Sequence, residues 1–108
     1  MASRIVRGDV RLCRFFPPDK TRPVVVLTRD FAIEYLAAVT VVPVTSTIRG
    51  VPSEVVLHED DGMKGPCAAN LDNIVTIRRS GLGRRVAQLS PLRMDEICKA
   101  LGFALGCH

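Results

Sequence analysis

"KTRPVVVLTRD", residues 20–30, decides the fold class. Its centre, "VVVLT" (24–28), is a short apolar run of mostly β-branched residues, and it reads as a central, buried strand. Lys20 and Arg22 stand directly before the run, so the strand carries both cations to the rim of its sheet. Pro23 biases Arg22 toward extended geometry and away from a helix.

Moving toward the N-terminus, "FPPDKTRP" (16–23) is a proline-rich loop. Before it, "GDVRLCRF" (8–15) alternates Val10 and Leu12 with Arg11 and Cys13, the pattern of a half-buried strand. In the other direction, "RDFAIEYLA" (29–37) fits either one helical turn or a hairpin arm. "AVTVVPVT" (38–45) is a strand whose Pro43 suggests an edge or a bulge. A loop (46–53) leads to the strand "EVVLH" (54–58) and the acidic turn "EDDGMKG" (59–65). "PCAANLDNIVTI" (66–77) gives one or two short strands with a polar break at Asn70, Asp72 and Asn73. "RRSGLGRR" (78–85) is a basic turn, and "VAQL" (86–89) is a last short strand.

"SPLRMDEICKALGFAL" (90–105) predicts a helix. Ser90 is its N-cap, Pro91 its first residue, and Asp95 and Glu96 lie toward the positive end of the dipole. Met94, Ile97, Cys98, Leu101 and Leu105 recur at helical spacing and form the expected core face, and Gly106 ends the helix. Short strands followed by one helix predict a mainly β fold, a small, curved antiparallel barrel or half-barrel.

A chain of 108 residues is expected to form one domain spanning 1–108. With aromatics at only 5%, the core falls to Val, Ile, Leu and Ala. No apolar run reaches the length of a membrane span, and the charged N-terminus lacks a signal-peptide core, so a cytoplasmic protein is expected. Net charge is +4, and 12 of the 15 cations are arginine. Arginine's planar fork suits phosphate and bases, which favours a nucleic-acid partner. Cys13, Cys67, Cys98 and Cys107 have no C-x-x-C spacing and are expected as free thiols, Cys13 and Cys98 buried.

Familiar catalytic motifs are missing: there is no G-x-S-x-G elbow, P-loop, H-E-x-x-H pair or dinucleotide fingerprint. His58 and the acidic turn "HEDD" (58–61) read as structural or solvated, and neither a metal nor a cofactor is expected. What remains is polar residues at the ends of buried strands: Arg22, then Thr45, Ser46 and Thr47, then Asn70, Asp72 and Asn73. An arginine near a hydroxyl can serve a phosphodiester, the guanidinium stabilising added charge on phosphorus and the hydroxyl positioning the attacking group.

Five blocks in one order carry a resemblance: "RGDVRLCRF", "KTRPVVVLT", "VVPVTS" with "GVPSEVVL", "GPCAANLDNIVTI" and "LSPLRMDEICKAL". Together they resemble the MazF/PemK (Kid) toxins of type II toxin–antitoxin modules. The resemblance implies an SH3-like barrel of the CcdB/MazF type with a C-terminal helix, usually a homodimer. It also implies metal-independent, sequence-selective cleavage of single-stranded mRNA, leaving 2′,3′-cyclic phosphate and 5′-hydroxyl ends, and blocked by a cognate antitoxin. Arg22 matches the family's catalytic arginine and Thr45 its catalytic hydroxyl residue, with Ser46 beside it. Asp72 and Asn73 match an acidic–amide pair that helps bind RNA or completes the site in some members, and Asn70 is a weaker match.

Two departures stand out. Arg11 replaces an aromatic residue common in the first strand, and the first loop, Phe16 to Lys20, is shorter than in many relatives. On this reading Lys20, Arg22, Arg78 and Arg79, with Arg84 and Arg85, should line a positive RNA groove, and Arg29 should lie at the far end of the Arg22 strand. The competing readings are a non-enzymatic toxin of the same fold that binds a protein such as DNA gyrase, and a barrel serving only as an interaction module.

Overall fold

The computed structural model describes residues 4–14 and 21–107, so the first loop, including Lys20, lies outside the described residues. The described elements run β1 (Asp9–Arg14), β2 (Thr21–Val26), α1 (Asp30–Ile33), β3 (Ala38–Thr45), β4 (Glu54–Leu57), β5 (Cys67–Asn70), β6 (Val75–Arg78), β7 (Leu82–Gln88) and α2 (Pro91–Leu105). Three 3-10 turns, Glu59–Asp61, Leu71–Asn73 and Arg79–Gly81, connect them. All pairings are antiparallel, in the order β4-β5-β3-β2-β1-β7, with β6 added on β3. The path ends at β4 and β7, so the curved sheet is barrel-like without closing.

The valine run makes this possible. Successive strand residues face opposite sides, and Val25 joins one core cluster while Val24 and Val26 join the other. The first cluster unites Val10, Val42, Leu57 and Leu71 with Met94 and Ile97 of α2; the second holds Cys13, Ile33, Val39 and Val41. Each fully buried valine contributes about 1.5–3 kcal/mol relative to exposure.

β3 is the hub of the sheet and not an edge. Leu27 N–H donates to Thr40 O, so by the antiparallel alternation Thr40 and Val42 bond toward β2 while Val41 and Pro43 face the other side. On that side β6 pairs up to Val41 and β5 takes over at Val44. Pro43, which has no N–H, therefore occupies the gap between two neighbours. The same parity turns the Pro23 nitrogen toward β3, beyond the last rung, Val24–Pro43. β2 can thus begin at Thr21, inside what the sequence reads as loop, with Arg22 paired to Cys13 and Pro23 to Leu12.

The first strand is buried on both faces. Asp9 is 0% exposed and Arg11 4%. Arg11 Nε donates to Asp9 Oδ2 at 3.0 Å, its Nη1 to Gly83 O at 3.1 Å and its Nη2 to Arg4 O at 3.0 Å. Val6 N–H and Gln88 Nε2 complete the carboxylate at 3.0 and 3.2 Å. This network fastens β1 to β7 where their register shifts. It also extends β7 back to Leu82, so Arg84 and Arg85 are strand residues and the basic turn shrinks to Arg79–Gly81.

α2 follows its predicted capping signals, whereas Asp95 and Glu96 fall beyond the first turn. Ser90 Oγ accepts from Arg93 N–H at 3.2 Å, and Gly106 closes the helix at φ 73°. Its buried face is Met94, Ile97 and Ala100, flanked by Leu101 and Ala104. Cys98 and Leu105 depart from the expected face and are exposed. Cys98 lies on the helix flank, where Arg7 Nη2 donates to its sulfur at 3.0 Å. The segment after β2 forms the one-turn helix α1, with Arg29 as its N-cap beyond the end of the strand.

Candidate functional site

Past their last shared rung, β2 runs back to Thr21 and β3 runs on to Thr45. The last rung between them is Val24–Pro43, and past it Arg22 and Thr45 each lie near the end of their own strand, unpaired to one another. A groove of about 600 Å³ opens beside them, walled by Leu12, Thr21, Pro23, Thr45, Ser46, Met63, Lys64, Cys67, Arg84 and Val86 among its described residues. Ser46 is exposed and Thr45 half-buried. Thr45 Oγ1 accepts from Thr47 N–H at 3.1 Å, which fixes its rotamer and leaves its own proton to donate. Arg22 is exposed on the strand face opposite to Thr21 and Pro23, and so does not line the groove itself.

Electrostatics sharpen this arrangement. Among the described residues the ion pairs engage Arg4, Arg11, Arg85 and Arg93. Arg22, Lys64 and Arg84 are in none of them, and Lys64 and Arg84 line the groove beside Thr45 and Ser46. A phosphate placed there meets positive charge and hydroxyl donors together. Lys64 and Arg84 were not singled out as a pair by the sequence. The β4–β5 hairpin brings in the first, since Thr45 pairs with Ala68 and the groove wall continues through Cys67 to Lys64. Arg84 arrives because it lies two residues before Val86 on the same face of β7. Reading 82–88 as one strand would have exposed that alternation.

The lysine loop is held from behind. Arg93 Nε donates to Asp61 Oδ1 at 2.9 Å and Arg93 Nη1 to Glu96 Oε1 at 2.8 Å. Burial pushes the Asp61 carboxyl up, but the hydrogen bonds from Arg93 and from His58 N–H outweigh it, and the net pKa is lowered. The same contacts raise the already high Arg93 pKa further. His58 and the acidic turn therefore serve architecture. Next in the chain, Gly62 sits at φ 91°, where an added Cβ would come within 2.7 Å of Ala87 Cβ.

Other expected residues lie elsewhere. Asn70 ends β5, and its Oδ1 accepts from Asp72 N–H at 3.0 Å. Ser53 Oγ donates to Asp72 Oδ2 at 2.7 Å, and Asp72 and Asn73 are exposed on the turn between β5 and β6. None of the three lines the groove. Arg78 pairs with Ala38 at the opposite end of β3 from Thr45, and at about 3.3 Å per residue that is roughly 23 Å along the strand. Arg79 Nη1 donates to Ile33 O at 2.6 Å, capping the end of α1. Arg85 Nη1 approaches Asp9 Oδ1 at 3.7 Å. Within one chain the expected cations thus form no single groove: Arg84 joins the Thr45 site, Arg78 and Arg79 serve the far end, and Arg85 turns to the Asp9 network.

Comparison with known proteins identifies the family. Residues 6–105 match the family model described as PemK-like, MazF-like toxin of type II toxin–antitoxin system. The chain is 41% identical over 108 residues to a probable endoribonuclease MazF5 of Mycobacterium tuberculosis, covering 99% of this chain and 98% of the relative. It is 42% identical over 91 residues to a probable endoribonuclease MazF2 of the same species, covering 83% and 89%. Its fold superposes with TM-score 0.87 and 28% identity on a mycobacterial endoribonuclease solved with its cognate antitoxin, covering 97% of this chain and 98% of that one. The chain belongs to the PemK-like, MazF-like toxin family of type II toxin–antitoxin systems.

Proposed function

We propose that this chain is the toxin of a type II toxin–antitoxin module and acts as a sequence-selective endoribonuclease on single-stranded mRNA. The observation that carries the reading is the groove at the end of β3, where the hydroxyls of Thr45 and Ser46 lie beside the cations Lys64 and Arg84, with Arg22 on the adjoining strand β2. The RNA's own 2′-hydroxyl attacks the adjacent phosphorus, and the bond to the 5′-oxygen of the next nucleotide breaks. The products are a 2′,3′-cyclic phosphate and a 5′-hydroxyl, with the proton of the attacking hydroxyl balanced by one delivered to the leaving oxygen. Arg22 stabilises the added negative charge of the phosphorane. A guanidinium is a poor proton donor, so its contribution is electrostatic rather than acidic. Thr45, with Ser46, holds the scissile phosphate by hydroxyl donation. Nothing in these steps requires a metal or a cofactor.

Lys20, Asn70, Asp72, Asn73, Arg78 and Arg79 are retained as outer RNA contacts. In a homodimer the far end of one chain can meet an RNA that starts in the groove of its partner. Phe31, Tyr35, Leu92, Phe103 and Leu105 are large exposed apolar side chains that favour such an assembly. The physiological partner is a cognate antitoxin whose acidic segment competes for the cationic groove, and the module works in the cytoplasm as a single-domain toxin. No helix among the described residues is long and apolar enough to cross a membrane.

Removing one preorganised charge-stabilising group from such a site costs about 10²–10³ in rate. Arg22→Ala and Thr45→Ala should each lower cleavage of a long single-stranded RNA by that factor while leaving thermal unfolding unchanged. Full activity in either variant, or growth arrest retained without cleavage, would sink this assignment.

A further inference from the structure

Beside Thr45 the groove has a chemistry of its own. Its apolar wall is Leu12, Pro23, Met63 and Val86, and no aromatic side chain lies among its described lining residues. The described wall thus offers a base no stacking platform, the contact that makes single-strand binding tolerant of sequence. Discrimination then falls to hydrogen bonds at the base edge. Among the described lining residues the charged side chains, Lys64 and Arg84, are donors only, with no carboxylate or carboxamide beside them. Its side-chain acceptors are hydroxyls, and that of Thr45 already accepts from Thr47 N–H. At about 600 Å³ the groove lies within the roughly 300–1,000 Å³ of small-ligand sites, ample for a nucleobase.

We propose that this groove is a base-recognition pocket for the nucleotide next to the scissile phosphate, selecting guanine and refusing adenine, with Arg84 as its reader. This rests on the endoribonuclease reading of the same site. Guanine presents O6 and N7 side by side as acceptors, which a guanidinium engages with two parallel hydrogen bonds. Adenine replaces the O6 acceptor with an amino donor, which meets cations here. Arg84 stands on a strand, so its planar fork springs from fixed backbone. Lys64 stands on the loop between β4 and β5, and its point charge suits the neighbouring phosphate.

The test uses DNA pentamers, which lack the 2′-hydroxyl and cannot be cleaved by this chemistry. Fluorescein-labelled TTGTT and TTATT are titrated with the intact protein at one ionic strength, and affinity is read by anisotropy. Guanine should bind about 5- to 150-fold tighter, the discrimination of one good bidentate contact. Arg84→Gln should abolish or invert that preference, because a carboxamide matches adenine N6 and N7. Lys64→Ala should weaken both pentamers alike and lower the salt slope by about 1. Equal affinities, a guanine preference unchanged in Arg84→Gln, or no binding to either pentamer would each overturn the pocket. A protein that cuts RNA but binds the pentamers alike overturns the pocket alone. One that prefers guanine yet leaves RNA uncut overturns the endoribonuclease reading and keeps the pocket.

Discussion

Replacing Arg11 with methionine should cost about 3–5 kcal/mol, because it strands a buried carboxylate. Asp9 is 0% exposed, and the substitution removes the cation at 3.0 Å from its Oδ2. It also leaves Gly83 O and Arg4 O without their guanidinium donors. Methionine keeps most of the apolar stem, so the loss reports charge and hydrogen bonding rather than a cavity. Arg85 Nη1 already lies 3.7 Å from Asp9 Oδ1, with its side chain 43% exposed, and can close on the carboxylate as a substitute. The single variant should therefore fall in the lower half of that range, and the full cost should emerge in an Arg85→Ala background. Against a total stability of about 5–15 kcal/mol, either loss is large. At roughly 4 °C per kcal/mol for a chain of this size, Tm should fall by about 12–20 °C. Urea unfolding followed by circular dichroism measures the effect at 25 °C. Adding Asp9→Asn should recover at least about 2 kcal/mol, since the amide still accepts from Val6 N–H without a buried charge. A cost below about 1 kcal/mol, or no recovery in the double variant, would refute the argument.

The Asp61 carboxyl titrates below its ordinary value, so its contribution to stability is complete above about pH 4 and is lost as pH falls through the lowered value. Asp61→Asn should flatten that part of the acid limb in a pH series of urea midpoints; an unchanged limb would count against the Arg93 contact. Gly62→Ala combines left-handed backbone with a clash against Ala87 and should cost about 2–4 kcal/mol. Gly50→Ala, also at positive φ but with nothing nearby, should cost only about 1–2 kcal/mol by the same unfolding measurement. Burial raises the Cys13 and Cys67 thiols, whereas Cys98 and Cys107 are exposed. In the native protein Cys98 and Cys107 should react quickly with a disulfide reagent at pH 8, with Cys13 and Cys67 following on unfolding; rapid modification of Cys13 would contradict its place in the core.

The valine run, the C-terminal helix and the polar break at Asn70 to Asn73 were legible in the sequence because each depends on local pattern. Pro23 and Pro43 misled for a shared reason. A proline forbids a ladder bond only on the side its nitrogen faces, and that side is fixed by neighbours far along the chain. Arg11 reads as the polar half of an alternation, and only the arrival of β7 makes it a buried partner for Asp9. Cys98 shares its spacing with the core residues of α2, but the helix is covered along Met94, Ile97 and Ala100, which leaves the thiol on the flank. In the candidate site, Thr45 was legible at the end of its strand, and Arg22 near the start of the neighbouring one, on the face away from the groove. Lys64 and Arg84 reach the same groove from elements distant in sequence, so their convergence depends on topology. Arg78 and Arg79 belong to a basic cluster by composition, yet β6 places them at the opposite end of β3.

Product-end analysis tests the central claim most directly. The purified protein, free of its antitoxin, is incubated with a long single-stranded RNA in EDTA, and both sides of each new break are characterised chemically. The account predicts cleavage undiminished by the chelator, with a 2′,3′-cyclic phosphate upstream, a 5′-hydroxyl downstream, and recurrent sequence at the breaks. Loss of cleavage in EDTA, or 5′-phosphate ends, would contradict attack by the RNA's own 2′-hydroxyl at the Arg22–Thr45 site.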